Sequence, residues 1–350
     1  MDKLTIDPVV EEVLARALAG GGTGRAEAIT LLERVRTGSL EMGLLCATAD
    51  RLSRERTGNL GEVFSQTGIN CGHCTLECDF CVLKAVEGEV RMDRDDVVER
   101  QLSFIAEGAN TVSLMVTADY PFEEYLEMAR AVRAAIPPAY PLVANVGDFD
   151  EVQAREMVDA GLTAVYHVIR LREGVDTKLD PDTRKRTLLA ARTAGMDVTY
   201  CLEPIGPEHS LEELVEGIMR GKEFEPTSMA TMRRIAVPGT PLGSRGQIPE
   251  VEQARLCAVT ALVAWSWPNT MMVSAHEPSK QLLRAGANRV TAEAGVNPRD
   301  TSRETSRSRG YSVAACRELL VDTGWDLREG PSPVMQGPLR GKCPPVAAVA

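Results

Sequence analysis

The sequence lacks both the long apolar segment of a membrane protein and the excess positive charge of a nucleic-acid-binding protein. No apolar run reaches the roughly 18–20 residues that a membrane-spanning helix needs. Lys and Arg number 39 against 50 Asp and Glu, which gives a formal net charge of −11. Because phosphate binding needs clustered positive charge, this balance disfavours sequence-independent binding to nucleic acids and to anionic membranes. The N-terminus has no basic segment followed by an apolar one, so we expect no signal peptide and a cytoplasmic protein.

Aromatic residues are also scarce, at 4% of the chain, but a hydrophobic content of 44% is enough for a sizeable core. The length of 350 residues fits two or three domains, or one α/β barrel. The nine cysteines lack the dense, even spacing of a disulfide framework in a small secreted domain. Four of them, Cys71, Cys74, Cys78 and Cys81, fall within eleven residues. In a reducing cytoplasm, such a cluster indicates metal binding.

Short apolar runs alternate with longer amphipathic ones after an N-terminal helical region at about 8–57. The predicted strands are Val63–Ile69, Thr111–Thr117, Leu142–Val146, Ala164–Ile169, Asp197–Cys201, Met229–Val237, Met271–Ala275 and Arg289–Ala292. The predicted helices that follow are Arg94–Glu107, Phe122–Ala135, Glu151–Ala160, Thr183–Ala194, Leu211–Lys222, Glu250–Trp265, Pro278–Ala285 and Ser312–Thr323.

This alternation predicts an α/β fold, a (β/α)8 TIM-type barrel. An open doubly wound sheet has the same alternation and remains the alternative. We expect an N-terminal helical region over 1–60, the barrel over 61–325, and an irregular tail rich in Pro and Gly over 326–350.

The segment GINCGHCTLECDFCVLKA directly follows the first predicted strand, where barrels carry their function. Cys74, Cys78 and Cys81 have the spacing C-x3-C-x2-C. Three thiolates in one short loop can bind three corners of an iron–sulfur cube and leave one iron to a small molecule. Cys71 adds a C-x2-C pair, so zinc is an alternative, although structural zinc usually takes two short pairs separated by a longer loop.

This motif, with Phe80 just before the last cysteine, resembles that of the radical S-adenosylmethionine (SAM) superfamily. The resemblance implies that Cys74, Cys78 and Cys81 hold a [4Fe–4S] cluster whose fourth iron binds SAM. It also implies that reductive cleavage of SAM gives a 5′-deoxyadenosyl radical, which removes a hydrogen atom from a small-molecule substrate. The electron would come from a donor such as a ferredoxin or a flavodoxin.

Three further segments resemble the branch that contains biotin synthase, the [FeFe]-hydrogenase maturases and methylornithine synthase. They are KLDPDTRKR (178–186), MRRIAVPGTPLGS (232–244) and VSAHEPSKQLLRAGANRVT (273–291). This resemblance implies a role in the biosynthesis of a cofactor or an unusual amino acid.

The chain departs from biotin synthase where that enzyme holds a second, [2Fe–2S] cluster with three cysteines and an arginine. The second and third strands end in LMVTADYP and VANVGD without a cysteine, and His276-Glu277 takes the place of the arginine. Cys201 is offset by one residue from the fifth-strand cysteine, which predicts that it points to the opposite face of the strand. Two alternatives remain open: a sulfur-inserting synthase with a second iron–sulfur cluster aided by Cys71, Cys201 or Cys343, and a non-catalytic scaffold for metallocofactor assembly.

The resemblance also implies residues that contact SAM. Asp119, after the second strand, would accept a hydrogen bond from the SAM ammonium, and Asn145, after the third, would contact its carboxylate. Arg170, Glu173 and Glu203 follow the fourth and fifth strands and are candidates for SAM or substrate. The structural alternatives are a turn or cap residue for Asp119, a turn residue for Asn145, and solvated charges for Arg170 and Glu173.

Substrate contacts are expected from the last strands of the barrel. Arg233 and Arg234 are adjacent, so one of them should face the interior, where a buried guanidinium needs an anion. His276 follows the seventh strand and is a further candidate, with a satisfied structural histidine as the alternative. Glu208 and His209 belong to the loop after the fifth strand and are expected at the barrel mouth.

Overall fold

The protein is described by a computed structural model that covers residues 5–296 and 310–339. Eight parallel strands form its centre, and the last pairs with the first, Glu62 opposite Arg289 through Gly68 opposite Gly295. The predicted TIM-type barrel is therefore confirmed, and the open sheet is excluded. The strands are β1 Leu60–Gly68, β2 Thr111–Met115, β3 Leu142–Asn145, β4 Ala164–Tyr166, β5 Asp197–Ile205, β6 Ser228–Arg233, β7 Met272–Ala275 and β8 Arg289–Gly295.

Helices surround the barrel on the outside. They are α1 Pro8–Leu18, α2 Arg25–Arg34, α3 Leu40–Thr57, α4 Arg94–Ala106, α5 Phe122–Ala135, α6 Glu151–Asp159, α7 Pro181–Thr193, α8 Leu211–Gly221, α9 Glu250–Ala264, α10 Lys280–Leu283 and α11 Val313–Asp322. The first three form the N-terminal helical region, in which α2 packs on α8 and α3 packs on α9. The helices that the structure describes are all too short or too polar to cross a membrane.

The observed ends of β5 and β6 differ most from the predicted ends. Both strands end beside the cavity described below. β6 stops at Arg233 instead of Val237, because Ile235 and Val237 line the cavity instead of pairing with a neighbouring strand. β5 continues four residues beyond Cys201 to Ile205, with an irregular register between Leu202 and Ile205.

The C-terminal segment 328–339 closes the opposite end of the barrel. Met335 is fully buried, and its sulfur lies 3.2 Å from the guanidinium of Arg289. The Ser332 amide donates to the Asn110 carbonyl at 2.8 Å, and the Gly337 amide donates to the Asp197 carboxylate at 3.0 Å. The described part of the predicted tail is therefore bound to the barrel and is not irregular throughout. Asp326–Leu327 pairs in parallel with Leu60 and Gly61 at the start of β1, and Gly337–Leu339 forms a 3-10 turn. Cys343 lies outside the described residues.

Candidate active site

An open cavity lies at the C-terminal ends of the barrel strands. This is the end of a TIM-type barrel where active sites form. Eight of the eleven predicted site residues line the cavity: Cys74, Cys78, Cys81, Asn145, Arg170, Glu203, Arg233 and Arg234. Asp119, Glu173 and His276 do not line it.

The cysteine loop, residues 72–81, is held by contacts with several other segments. Just before it, Asn70–Cys71 pairs antiparallel with Val90–Arg91. Inside the loop, the Cys81 amide donates to the Cys78 carbonyl at 3.0 Å. The Asp79 amide donates to the Asp176 carbonyl at 2.9 Å, and the Asp79 carbonyl accepts from the Leu242 amide at 3.0 Å. The loops after β4 and β6 therefore fix the part of the cysteine loop between Cys78 and Cys81.

The three cysteines bring three sulfur ligands to one wall of the cavity. Soft thiolate ligands of this kind suit an iron–sulfur cluster and also zinc. Cys74 and Cys78 are buried, and burial raises the pKa of Cys78 to about 12, opposed by the positive charge of Arg170. Such a thiol stays protonated until a metal replaces its proton.

A buried network of charges lines the cavity beneath the cysteines. The Arg170 Nε lies 3.5 Å from a Glu203 carboxylate oxygen, and its Nη1 lies 3.6 Å from Glu173. Tyr166 donates its hydroxyl to the other oxygen of Glu203. The Nη1 of Arg170 is buried and has no hydrogen-bond partner within residues 5–296 and 310–339. Arg170 therefore presents an unused donor in a cavity near Cys78.

His167 and Arg184 also line the cavity, and the sequence analysis did not assign them to the site. His167 Nε2 lies 3.0 Å from Asp148, and Arg184 Nη1 lies 3.4 Å from the same carboxylate oxygen. Burial and the nearby Arg184 lower the pKa of His167 to about 4. Burial opposes ionisation of Asp148, but the hydrogen bond from His167 and the charge of Arg184 lower its pKa to about 2. The sequence signal that could have indicated Arg184 as a site residue was the segment KLDPDTRKR (178–186), which contains it.

The two adjacent arginines at the end of the sixth strand have different surroundings. Arg234 is 2% exposed, and its two terminal nitrogens bind the two oxygens of Glu208, with Nη2 to Oε2 at 2.9 Å. Among residues 5–296 and 310–339, Arg233 donates only to the Ile248 carbonyl, at 3.3 Å. Within the part of the chain that the structure describes, Arg233 has no carboxylate partner. It is therefore the cavity arginine whose charge is left uncompensated.

The chain has relatives among known proteins that are detectable by sequence. No protein-family model matches the chain. The biotin synthase of Beijerinckia indica subsp. indica is 29% identical over 216 residues, which cover 57% of this chain and 66% of that protein. The biotin synthase of Picosynechococcus sp. is 26% identical over 266 residues, which cover 70% of each chain. The chain thus matches about two thirds of the length of these two curated relatives.

Solved structures show the same fold. Methylornithine synthase (PylB) superposes with a TM-score of 0.77 at 16% identity and covers 91% of this chain and 97% of its own. The [FeFe]-hydrogenase maturase HydG from Carboxydothermus hydrogenoformans has a TM-score of 0.74 at 14% identity, with 91% and 79% covered. In sequence the chain is similar to biotin synthases, and in fold it is similar to PylB and HydG. It resembles the biotin-synthase-like branch of the radical SAM superfamily, in agreement with the cysteine motif at the barrel mouth.

Radical SAM enzymes bind a [4Fe–4S] cluster and SAM, and Cys74, Cys78 and Cys81 are the residues of this chain that would hold the cluster. Asp119 is exposed and accepts hydrogen bonds from Thr75 in the cysteine loop, with 2.6 Å to the Thr75 amide. Glu173 is buried behind Arg170. His276 is 4% exposed, and its ring centre lies 5.8 Å from that of Tyr166.

The position that the sequence predicted for Cys201 was wrong. Its side chain does not point away from the interior, because its thiol interacts with Tyr166 and Glu203, which line the cavity. Burial, together with the charge of Glu203, raises the pKa of Cys201 well above its usual value. The one-residue offset failed as a guide because a comparison of single residues does not fix the register of a strand.

Proposed function

We propose that the chain reductively cleaves SAM at a [4Fe–4S] cluster and abstracts a hydrogen atom from a small molecule in cofactor or metabolite biosynthesis. The observation that carries this proposal is the position of Cys74, Cys78 and Cys81 on the wall of an open cavity lined by buried charged groups. When bound, the cluster and SAM supply a 5′-deoxyadenosyl radical. A ferredoxin or flavodoxin is the proposed source of the electron.

The cavity residues bind and orient SAM. Asn145 and the unused Nη1 of Arg170 are the donors for its carboxylate. Glu203 is the acceptor for its ammonium, because this carboxylate lines the cavity and Asp119 and Glu173 do not. Charge-assisted hydrogen bonds of this kind are roughly twice as strong as neutral ones.

The substrate carries an anionic group, and Arg233 binds it. The charge of Arg234 is already balanced by Glu208, whereas Arg233 has no carboxylate partner in the described part of the chain. Met115, Ile235 and Val237 give the same cavity apolar walls. A bound substrate that covers these walls displaces water, which protects a reactive intermediate from side reactions. The His276 ring lies 5.8 Å from the Tyr166 ring and does not line the cavity, so in this proposal His276 contacts only a substrate that extends past Tyr166.

Cysteine variants test the cluster assignment. We expect Cys74→Ala, Cys78→Ala and Cys81→Ala each to abolish the [4Fe–4S] absorbance and SAM cleavage, because each removes one of three ligands. Cys71→Ala is the matched control and should keep the cluster, since Cys71 is paired with Val90 before the loop. Loss of most of the iron from Cys71→Ala would show that the chosen triplet is wrong. Iron retention without SAM cleavage in the parent protein would favour a non-catalytic scaffold.

A second candidate function is sulfur insertion with a second iron–sulfur cluster. The biotin synthase relatives and the interior position of Cys201 favour it. Cys46, Cys257 and Cys316 lie on the outer helices α3, α9 and α11, so Cys201 is the only cysteine among the described residues that lies on a barrel strand beneath the cavity. Iron analysis separates the candidates: about four irons per chain for one cluster, and more for two.

A further inference from the structure

We propose that Asp176, Glu208 and His209 bind a divalent transition-metal ion at the rim of the barrel. These residues come from the loops after β4 and β5 and do not line the cavity that contains the cysteines. The proposal does not depend on the proposed function, because none of the three residues is assigned to SAM, to the cluster or to the substrate.

The three side chains already converge. One carboxylate oxygen from each acid and one imidazole nitrogen lie within 4.8 Å of one another. The Glu208 Oε1 lies 3.9 Å from His209 Nε2. Donors bonded at about 2.0–2.2 Å to one tetrahedral ion lie roughly 3.3–3.6 Å apart. Side-chain rotations that move the ligand atoms by about 1 Å would therefore close the site around a single ion.

His209 supplies the observation that points to a ligand. Its side chain is 1% exposed, and within the described residues its Nε2 has no hydrogen-bond partner. Its Nδ1 can accept from the Gly206 amide at 2.9 Å, with the ring proton on Nε2, or donate to the Gly206 carbonyl at 3.2 Å, with a lone pair on Nε2. A buried nitrogen without a partner is unfavourable. The second tautomer is the one that binds metals, since a metal-bound histidine usually donates its other ring N–H to a carbonyl or a carboxylate.

The carboxylates have capacity for an ion. Both oxygens of Glu208 bind Arg234, but each carboxylate oxygen carries a second lone pair. Asp176 makes no side-chain hydrogen bond within the described residues. Two carboxylates against the single charge of Arg234 leave an excess of one negative charge, because Arg172 is neutralised by Glu213 at 2.7 Å.

Backbone shape also favours this arrangement. A Cβ atom on Gly206 would lie 2.4 Å from the Arg234 Nη1 and 2.6 Å from the Glu208 Oε2. Glycine at 206 is therefore what allows Arg234 and Glu208 to approach the backbone that orients His209. An ion here would join the loops after β4 and β5, next to the Asp79 amide that donates to the Asp176 carbonyl.

The donor set indicates the class of metal. One imidazole and two carboxylates suit Zn²⁺, Fe²⁺ or Mn²⁺, whereas Ca²⁺ and Mg²⁺ prefer oxygen ligands alone. Zn²⁺ is the probe for affinity and Co²⁺ is the probe for ligand type, with Mg²⁺ as the hard-cation control.

The experiment uses the full chain after anaerobic reconstitution and removal of loose metal, so that the cysteine loop is already occupied. We expect one Zn²⁺ per chain in the parent protein and no tight binding of Mg²⁺. His209→Ala and Asp176→Asn should each weaken Zn²⁺ binding by more than about tenfold, since even second-shell changes cost about 10- to 100-fold. The matched control Asp182→Asn changes an exposed carboxylate on α7 and should bind Zn²⁺ like the parent.

Co²⁺ substitution identifies the ligands. Oxygen and nitrogen ligands give weak visible bands, whereas thiolates add an intense sulfur-to-cobalt absorption. The proposal is overturned if the parent binds no stoichiometric Zn²⁺, if both variants bind like the control, or if bound Co²⁺ shows thiolate absorption. If His209→Ala does not fold, the isosteric Asp176→Asn decides. Iron and sulfide counts on the same samples report the cluster independently, so failure of this site and failure of the proposed function are distinguishable.

Discussion

Burial and pairing decide which charged residues of the barrel mouth are available to a ligand. Arg233 and Arg234 are neighbours in sequence, yet Glu208 neutralises only Arg234. The sequence predicts that one of the two faces the interior, but it does not indicate which one is paired, because Glu208 comes from the loop after another strand. The cysteines were easier to predict, since all three ligands lie in one short segment with a specific spacing.

Asp119 is bonded to the cysteine loop, because its carboxylate accepts hydrogen bonds from Thr75, next to Cys74. The contact with SAM that the resemblance implies stays a prediction, and the hydrogen bonds favour a structural role for Asp119. We expect Asp119→Ala to speed the loss of iron to a chelator by roughly tenfold, or about 1.4 kcal/mol, because it removes both hydrogen bonds that hold Thr75. The SAM concentration that shifts the EPR signal of the cluster should not change.

The control for Asp119 is Asp95→Ala, which removes an exposed carboxylate in the first turn of α4. The contradicting result is an Asp119→Ala protein that releases iron as slowly as the control but needs far more SAM to shift the EPR signal. It would show that Asp119 binds SAM.

His167 provides a pH test of the buried network. Its pKa is lowered from 6.5 to about 4 by burial and by Arg184. Between these values the unfolded chain binds a proton that the folded protein does not, so unfolding takes up a proton and stability falls as the pH is lowered. We expect His167→Gln to lose less stability than the parent between about pH 7 and about pH 5, measured by urea unfolding. Equal losses in the two proteins would contradict this account of His167.

At the scale of elements, the positions of strands and helices were predictable and their ends were not. Apolar runs located all eight strands, and the predicted and observed bounds of β2 and β3 differ only at the C-terminal end, by one or two residues. β5 and β6 differ more, because the cavity and the charged pairs around it determine where strand pairing stops. The binding of segment 328–339 to the barrel was not predictable from its Pro- and Gly-rich composition, since its contacts come from Asn110, Asp197 and Arg289.

Met335 tests the importance of this C-terminal segment. Its side chain fills the closed end of the barrel and is fully buried. We expect Met335→Ala to lower the free energy of unfolding by about 2–5 kcal/mol, the usual cost of removing a large buried side chain. Val321→Ala is the control, because Val321 is 56% exposed and should change the value by less than about 0.5 kcal/mol. A change at Met335 as small as that at Val321 would show that the segment contributes little to stability.

At the scale of the whole molecule, the closed barrel brings together residues that are far apart in sequence. Cys78 near the first strand and Arg233 on the sixth line one cavity because parallel strands place all their C-terminal ends on one side. The repeated strand and helix pattern predicted this convergence. The choice of substrate depends on the cavity surface, which the pattern does not encode.

The most direct test of the central claim is the product of SAM under reducing conditions. The anaerobically reconstituted chain should contain about four irons and four sulfides. With a one-electron reductant, it should convert SAM into methionine and 5′-deoxyadenosine. A chain that binds zinc in place of iron, or that holds a complete cluster and leaves SAM intact, would contradict the account.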